Sequence, residues 1–178
     1  SNDHVACISR LTHDIVKTVA PETDSSYIPH AVDPDIFKPL SDKEWEEQAQ
    51  KRDRGLADKF VCFWNSRNAR RKQSGTLIWW FKEFLDKVGH DNATLIMHTD
   101  TKDVHGQDLE AIIHELGLVN GQVLFSKEKV SPQDLASVYR MVDLTICISD
   151  AEGFGLSPLE SMSCGTPILV NMTGGLQE

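Results

Sequence analysis

The sequence has no apolar run approaching the roughly 18 residues that a membrane-crossing helix needs, and no secretory leader is visible. Its four cysteines, Cys7, Cys62, Cys147 and Cys164, include no C-x-x-C pair, which argues against a zinc ribbon or a dithiol redox site. Cys62 and Cys147 lie inside apolar, strand-like runs, so buried free thiols in a reducing, cytoplasmic compartment are expected. Positive charge is in deficit: 18 Lys and Arg face 27 Asp and Glu, a net charge of −9. That balance excludes a nonspecific nucleic-acid binder, although a local basic patch can still hold a small phosphate ligand. The histidines His90, His98, His105 and His114 are scattered, so no metal centre is implied, and there is no internal repeat or low-complexity tract.

What is present is a globular composition, 40% hydrophobic and 25% charged, over 178 residues, enough for one sizeable core. Val5–Ile8 reads as a strand, and 9–19 as a helix carrying Leu11, Ile15, Val16 and Val19. Three prolines within 27–39 indicate an ordered connection, and the charged stretch 43–54 a surface helix ending before Gly55. From residue 59 the pattern alternates. Strands are expected at 60–64, 94–97, 123–125, 144–148 and 168–170, and helices at 76–88, 107–116, 132–140 and 158–164. The first of these helices has an apolar face of Leu77, Trp80, Phe81, Phe84, Leu85 and Val88. Short apolar strands alternating with helices imply an α/β fold, a doubly wound parallel sheet of the Rossmann-like kind. Ligands bind outside the carboxyl ends of such strands.

Two loops at those ends carry chemistry. After the 60–64 strand comes Asn65-Ser66-Arg67-Asn68-Ala69-Arg70-Arg71-Lys72, four cations in six residues. They can neutralise a diphosphate, or they form a solvated basic turn. After the 144–148 strand comes Glu152-Gly153-Phe154-Gly155-Leu156-Ser157-Pro158-Leu159-Glu160. Ser157 can cap the next helix with Pro158 at its first position and Glu160 at its third, which puts unpaired N–H groups where an anion is favoured. Glu160 is then either a capping glutamate or a ligand contact, and Glu152 either a surface glutamate or a ligand contact. Gly153 and Gly155 permit close backbone approach, but the segment is not a dinucleotide fingerprint, since Pro158 stands where a third glycine belongs.

The two glutamates with seven residues between them, the Gly-Phe-Gly within that interval, the following Ser161-Met162-Ser163-Cys164-Gly165-Thr166-Pro167 and the later Gly174-Gly175 resemble the donor-binding signature of the retaining glycosyltransferases of family 4, with GT-B architecture. The segment Ile28-Pro29-His30-Ala31-Val32-Asp33, ending at Phe37-Lys38-Pro39, is similar to that family's crossing between domains, with Ala31 in place of the usual glycine. The resemblance implies that residues 1–26 are the remnant of an N-terminal domain and 27–39 the interdomain connection. Residues 40–178 are then the donor-binding domain, the C-terminal half of a GT-B fold, incomplete at both ends.

It further implies a hexose transferred with retention from a nucleoside-diphosphate sugar, a UDP- or GDP-sugar, with no other cofactor and no divalent metal. Arg67 and Lys72, with Arg71 contributing, would hold the diphosphate, and Glu152 would contact the transferred sugar. The backbone of Gly153, Phe154 and Gly155, with Leu156 and Ser157, would lie along the phosphates. Glu160 would bind the ribose hydroxyls, and Ser126 and Lys127 would border the base. A saccharide, lipid or protein acceptor would be bound by the missing N-terminal domain, and peripheral membrane association would come only through missing parts. The isolated chain would then turn over little. Two alternatives stay open: a noncatalytic interaction or scaffold module on the same fold, and a GT-B phosphorylase, for which no lysine in a cofactor-binding context is found.

Overall fold

A computed structural model describes residues 3–49 and 55–178. Five strands form one wholly parallel sheet: β3 (Phe60–Asn65), β4 (Ala93–His98), β5 (Val123–Ser126), β6 (Leu144–Cys147) and β7 (Ile168–Val170), in the spatial order β5-β4-β3-β6-β7. The chain runs outward from β3 through β4 to β5, then returns to the other side of β3 as β6 and β7. The reversal falls between β3 and β6, which pair through Cys62 with Leu144 and Phe63 with Thr145. Crevices of doubly wound sheets open at such a switch point.

Both faces of β3 are apolar because both are covered. Cys62 and Trp64 point toward α3 (Ser74–Val88) and α4 (Leu109–Glu115), in a core with Ile78, Phe81, Leu85 and Leu109. Val61 and Phe63 point the other way, against Ala136 and Tyr139 of α5 (Pro132–Met141), Phe37 of the connection, and Cys164, which closes α6 (Leu156–Ser163). All four cysteines are buried and unpaired, as expected.

The α5 signal works as its sequence indicates: Pro132 sits in the first turn and Ser131 Oγ accepts from Asp134 N at 3.1 Å. Other boundaries move. The helix expected from 76 starts at Ser74, behind Gln73 in the left-handed region (φ 57°), and the one expected from 107 starts at Leu109 behind an Asp108 cap. Of the expected α3 face, Leu77, Phe81 and Leu85 are buried, and Ile78 with them. Trp80, Phe84 and Val88 are exposed; Trp80 and Phe84 overhang the flank of the sheet toward β6 and β7, where Leu169 is also exposed. Each wholly buried aliphatic side chain contributes roughly 2 kcal/mol, so α3 is held by its inner residues.

The N-terminal part is a separate layer. β1 (Val5–Cys7) pairs in parallel with β2 (Ser25–Tyr27), a strand that the proline-rich reading does not anticipate, and α1 (Arg10–Val19) joins them. Leu11, Ile15 and Val19 of α1 are exposed. The helix expected over 43–54 appears as α2 (Asp42–Ala49); 50–54 lie outside the described residues.

Candidate functional site

The loops that leave β3 and β6 at the switch point are tied to each other. Asp150 N donates to Arg71 O at 2.8 Å and Gln73 Nε2 donates to Asp150 Oδ2 at 2.6 Å. The basic loop is pinned from beneath by Asn68, which is fully buried: its Oδ1 accepts from Ser74 Oγ at 2.7 Å and its Nδ2 donates to Gln107 O at 2.7 Å. Asn68 reads in the sequence as one more polar loop residue, and only its partners reveal it as the anchor.

Within this frame Lys72 and Glu152 form an ion pair, with side chains only 12% and 10% exposed. Ser149 Oγ donates to the same Glu152 oxygen at 2.7 Å, and Arg71 Nη1 reaches the other at 3.5 Å while donating to Ala151 O at 2.6 Å. Burial pushes the Glu152 carboxyl up, but the Lys72 and Ser149 donors and the Lys72 and Arg71 charges outweigh it, so Glu152 titrates below the ordinary glutamate range. The surface-glutamate alternative for this residue is thereby excluded.

The sequence-based cap of α6 is corrected. Gly155 occupies the N-cap position in the left-handed region (φ 99°), the helix begins at Leu156, and Ser157 makes no capping bond. The helix gains two residues at this end because glycine bends the chain sharply at 155, so the helix need not wait for a hydroxyl cap. Pro158 is consequently third in the helix, and Glu160 lies in the second turn, out of reach of a capping role. Its Oε2 accepts instead from the hydroxyl of Tyr139 on α5 at 2.7 Å. Burial raises the Glu160 carboxyl above the ordinary range, and the Tyr139 bond offsets part of that rise.

Lys72, Glu152, Gly153, Phe154, Gly155, Leu156, Ser157 and Glu160 line one cleft of about 430 Å³, with Asn65 and Ser66 at its β3 side. Ile8 of the N-terminal layer and His30 of the 27–39 connection close it: the His30 ring meets the edge of Phe154 at 5.3 Å, and Ile8 abuts Gly153. Arg71 sits at the margin through Glu152. Three candidates stand elsewhere. Arg67 pairs with Asp103 beyond β4, Ser126 accepts or donates a 2.9 Å bond with His98, and Lys127 pairs with Glu110 of α4. Ser126 and His98 border a second, apolar cavity of about 240 Å³ beneath α5. Among the described residues no three His, Cys, Asp or Glu side chains gather as a metal-binding group, and no helix is long and apolar enough to cross a membrane.

A sheet of this order, with a basic loop and a Gly-Phe-Gly loop facing each other across its switch point, is a Rossmann-like domain of the kind that forms the C-terminal half of GT-B enzymes. The chain belongs to the glycosyl transferases group 1 family, whose sequence profile matches residues 45–178. Among curated relatives it is 30% identical over 152 residues to a D-inositol 3-phosphate glycosyltransferase of Corynebacterium jeikeium, covering 84% of this chain and 36% of that protein. It therefore spans about a third of that relative's length. Among solved structures, it superposes on sucrose-phosphate synthase of Thermosynechococcus elongatus with a TM-score of 0.81 at 24% identity, over 99% of this chain and 42% of that one. HepE of Anabaena, solved with UDP-glucose, matches with a TM-score of 0.78 at 23% identity, over 98% of this chain and 46% of that one. The C-terminal domain of a glycosyl transferase group 1 protein, LpcC of Francisella tularensis, matches with a TM-score of 0.65 at 22% identity, over 83% of this chain and 74% of that one.

Proposed function

We propose that this chain is the donor-binding part of a retaining glycosyltransferase that transfers a hexose from a UDP- or GDP-sugar. The observation that carries the reading is the Lys72–Glu152 pair set beside the Gly153–Gly155 loop at the switch point. An ammonium has three donors, so Lys72 can keep Glu152 in place and still meet a phosphate oxygen. The amides opening α6 face the same cleft, and Arg67 joins them once it leaves Asp103. As the bond between the sugar and the diphosphate breaks, negative charge grows on the leaving phosphate, and these donors stabilise it. Glu152 holds the transferred sugar through its hydroxyls. Glu160 takes the ribose hydroxyls with the oxygen that Tyr139 leaves free, and Ser126 and Lys127 border the base. The UDP-glucose bound to the Anabaena relative supports this class of donor.

The same reading assigns residues 1–26 to the neighbouring domain, 27–39 to the connection and 40–178 to the donor domain. The acceptor is then bound by length that the relatives have beyond this chain, and these 178 residues alone bind donor with little turnover. Calorimetric titration with UDP, GDP, ADP and their sugar conjugates, repeated for Lys72→Ala and Glu160→Ala, tests the reading. Saturable binding of one diphosphate, weakened by both substitutions, is the expected result. A folded protein that binds none of them would overturn it in favour of a scaffold role.

A further inference from the structure

Tyr139 is fully buried, yet its hydroxyl lies at the meeting point of three residues that line the cleft. It donates to Glu160 Oε2 at 2.7 Å, accepts from Asn65 Nδ2 at 3.0 Å, and lies 3.0 Å from Ser157 Oγ. A hydroxyl has one proton, and the shortest contact and the charged acceptor both direct that proton to Glu160. Asn65 ends β3, and Ser157 and Glu160 are on α6, so one side chain from α5 braces both sides of the switch point. The brace is rigid. The Tyr139 ring is packed edge-on against Phe63 at 5.3 Å and Phe37 at 6.3 Å, and its carbonyl accepts from Thr166 Oγ1 at 2.6 Å. With Oε2 occupied, Glu160 Oε1 makes no hydrogen bond among the described residues, and the carboxylate borders the cleft.

We propose that Tyr139 is a positioning residue: its hydroxyl fixes the Glu160 carboxylate so that the other oxygen is presented to a vicinal diol of the bound nucleotide, making the site selective for ribose. The inference rests on the reading of the cleft as a nucleoside-diphosphate site and adds what orients its sugar anchor. Without the tyrosine donor, Glu160 is free to rotate toward solvent, and the site loses the geometry that rewards a ribose over a sugar lacking its hydroxyls. A carboxylate held in one rotamer binds the diol without the entropic cost of being ordered by it.

The test compares binding of UDP and GDP with that of their 2′,3′-dideoxyribose counterparts, by calorimetry, for the wild type, Tyr139→Phe, Glu160→Gln and the double variant. Phenylalanine keeps the ring contacts on Phe63 and Phe37, and a melting curve verifies that the variant is folded at the titration temperature. The wild type should prefer ribose at least tenfold. Tyr139→Phe should reduce that preference to about two- to threefold while leaving affinity for the dideoxy compound unchanged, and should have no further effect once Glu160 is glutamine. A Tyr139→Phe protein that keeps the full preference, or that loses affinity for both sugars alike, overturns the positioning role and leaves the nucleotide site standing. A wild type that binds neither nucleotide, or that binds ribose and dideoxyribose equally, overturns the reading beneath it.

Discussion

Arg67 and Asp103 form a two-pronged ion pair, with Arg67 Nε 2.6 Å from Asp103 Oδ2 and Nη2 3.1 Å from Oδ1. A guanidinium meets a carboxylate and a phosphate with the same fork. Asp103 therefore occupies the groups that Arg67 would offer a diphosphate, and the Arg67 donors hold the Asp103 carboxyl down to about 2. Because Arg67 is 61% exposed, water competes for the pair and the exchange is cheap. If Arg67 moves to the phosphate, Asp103→Asn should tighten nucleoside-diphosphate binding by up to about fivefold, and Arg67→Ala should cancel the gain. A titration of the two single variants and the pair checks this. Equal affinity in Asp103→Asn and wild type would mean that Arg67 stays outside the site.

Lys72 and Glu152 differ from that surface pair in being nearly buried. Removing one partner leaves the other charge without compensation, which in such settings costs about 3 kcal/mol or more. Lys72→Met should accordingly lower Tm by several degrees, measured by calorimetry at pH 7. The sign with pH follows from the depressed Glu152 carboxyl. Its stabilisation is present above the ordinary glutamate value of 4.5 and is lost as pH falls through the lower folded value. Glu152→Gln should therefore flatten the loss of stability with acid below pH 4.5. The Asp103 and Glu110 carboxyls, each held to about 2, will keep some slope in that window.

The parallel sheet was legible because β3, β4 and β6 are largely buried on both faces and so read as mostly apolar runs, each bounded by a turn. The two loops were legible by position, since residue types suited to phosphate stood where a doubly wound sheet opens. The α6 cap was not. Ser157, Pro158 and Glu160 fit a capping box by local rules, and the glycine bend at 155 that displaces it gains its meaning only from the packing of the 174–177 turn behind it. β2 was missed because Ser25-Ser26-Tyr27 has little strand character and forms by pairing with β1. Tyr139 was hidden for a different reason. Its helix periodicity marks it as a core residue, and nothing local reports that its hydroxyl meets a glutamate 21 positions later.

Glu160 is a case where the candidate site costs stability. Its folded carboxyl is raised by burial, so the ionised form is disfavoured relative to the unfolded chain, and the cost is felt as pH rises through the ordinary glutamate value toward neutrality. Glu160→Gln keeps an oxygen to accept from Tyr139 and removes the charge. It should raise Tm at pH 7 relative to the wild type. The advantage should shrink as pH falls toward 4.5, where the wild-type carboxyl becomes protonated. A scan of melting temperature against pH for both proteins decides it, and an unchanged or lower Tm at pH 7 would show that the carboxylate is better compensated than its surroundings suggest.

The 174–177 turn supports the Gly-Phe-Gly loop by direct backbone contact. Gly175 N donates to Glu152 O at 3.1 Å, and a β-carbon at Gly175 would stand 2.6 Å from Gly153 O and 2.7 Å from Phe154 Cα. Both obstacles are main chain, so no side-chain rotation relieves them, and Gly175→Ala should force the 174–177 turn and the 153–155 segment apart. Overpacking of this kind costs about 1–3 kcal/mol, and here it also moves the residues that line the candidate site. Gly117 is the matched control. It has a left-handed φ of 69°, but a β-carbon there meets nothing within 4 Å, so Gly117→Ala carries only the backbone penalty of about 1–2 kcal/mol. The two variants should thus lose comparable stability, while nucleotide binding falls at least tenfold in Gly175→Ala and stays unchanged in Gly117→Ala. Titration of both at a temperature where each is folded separates damage to the cleft from loss of stability, and equal binding by the two would remove the Gly-Phe-Gly loop from the site.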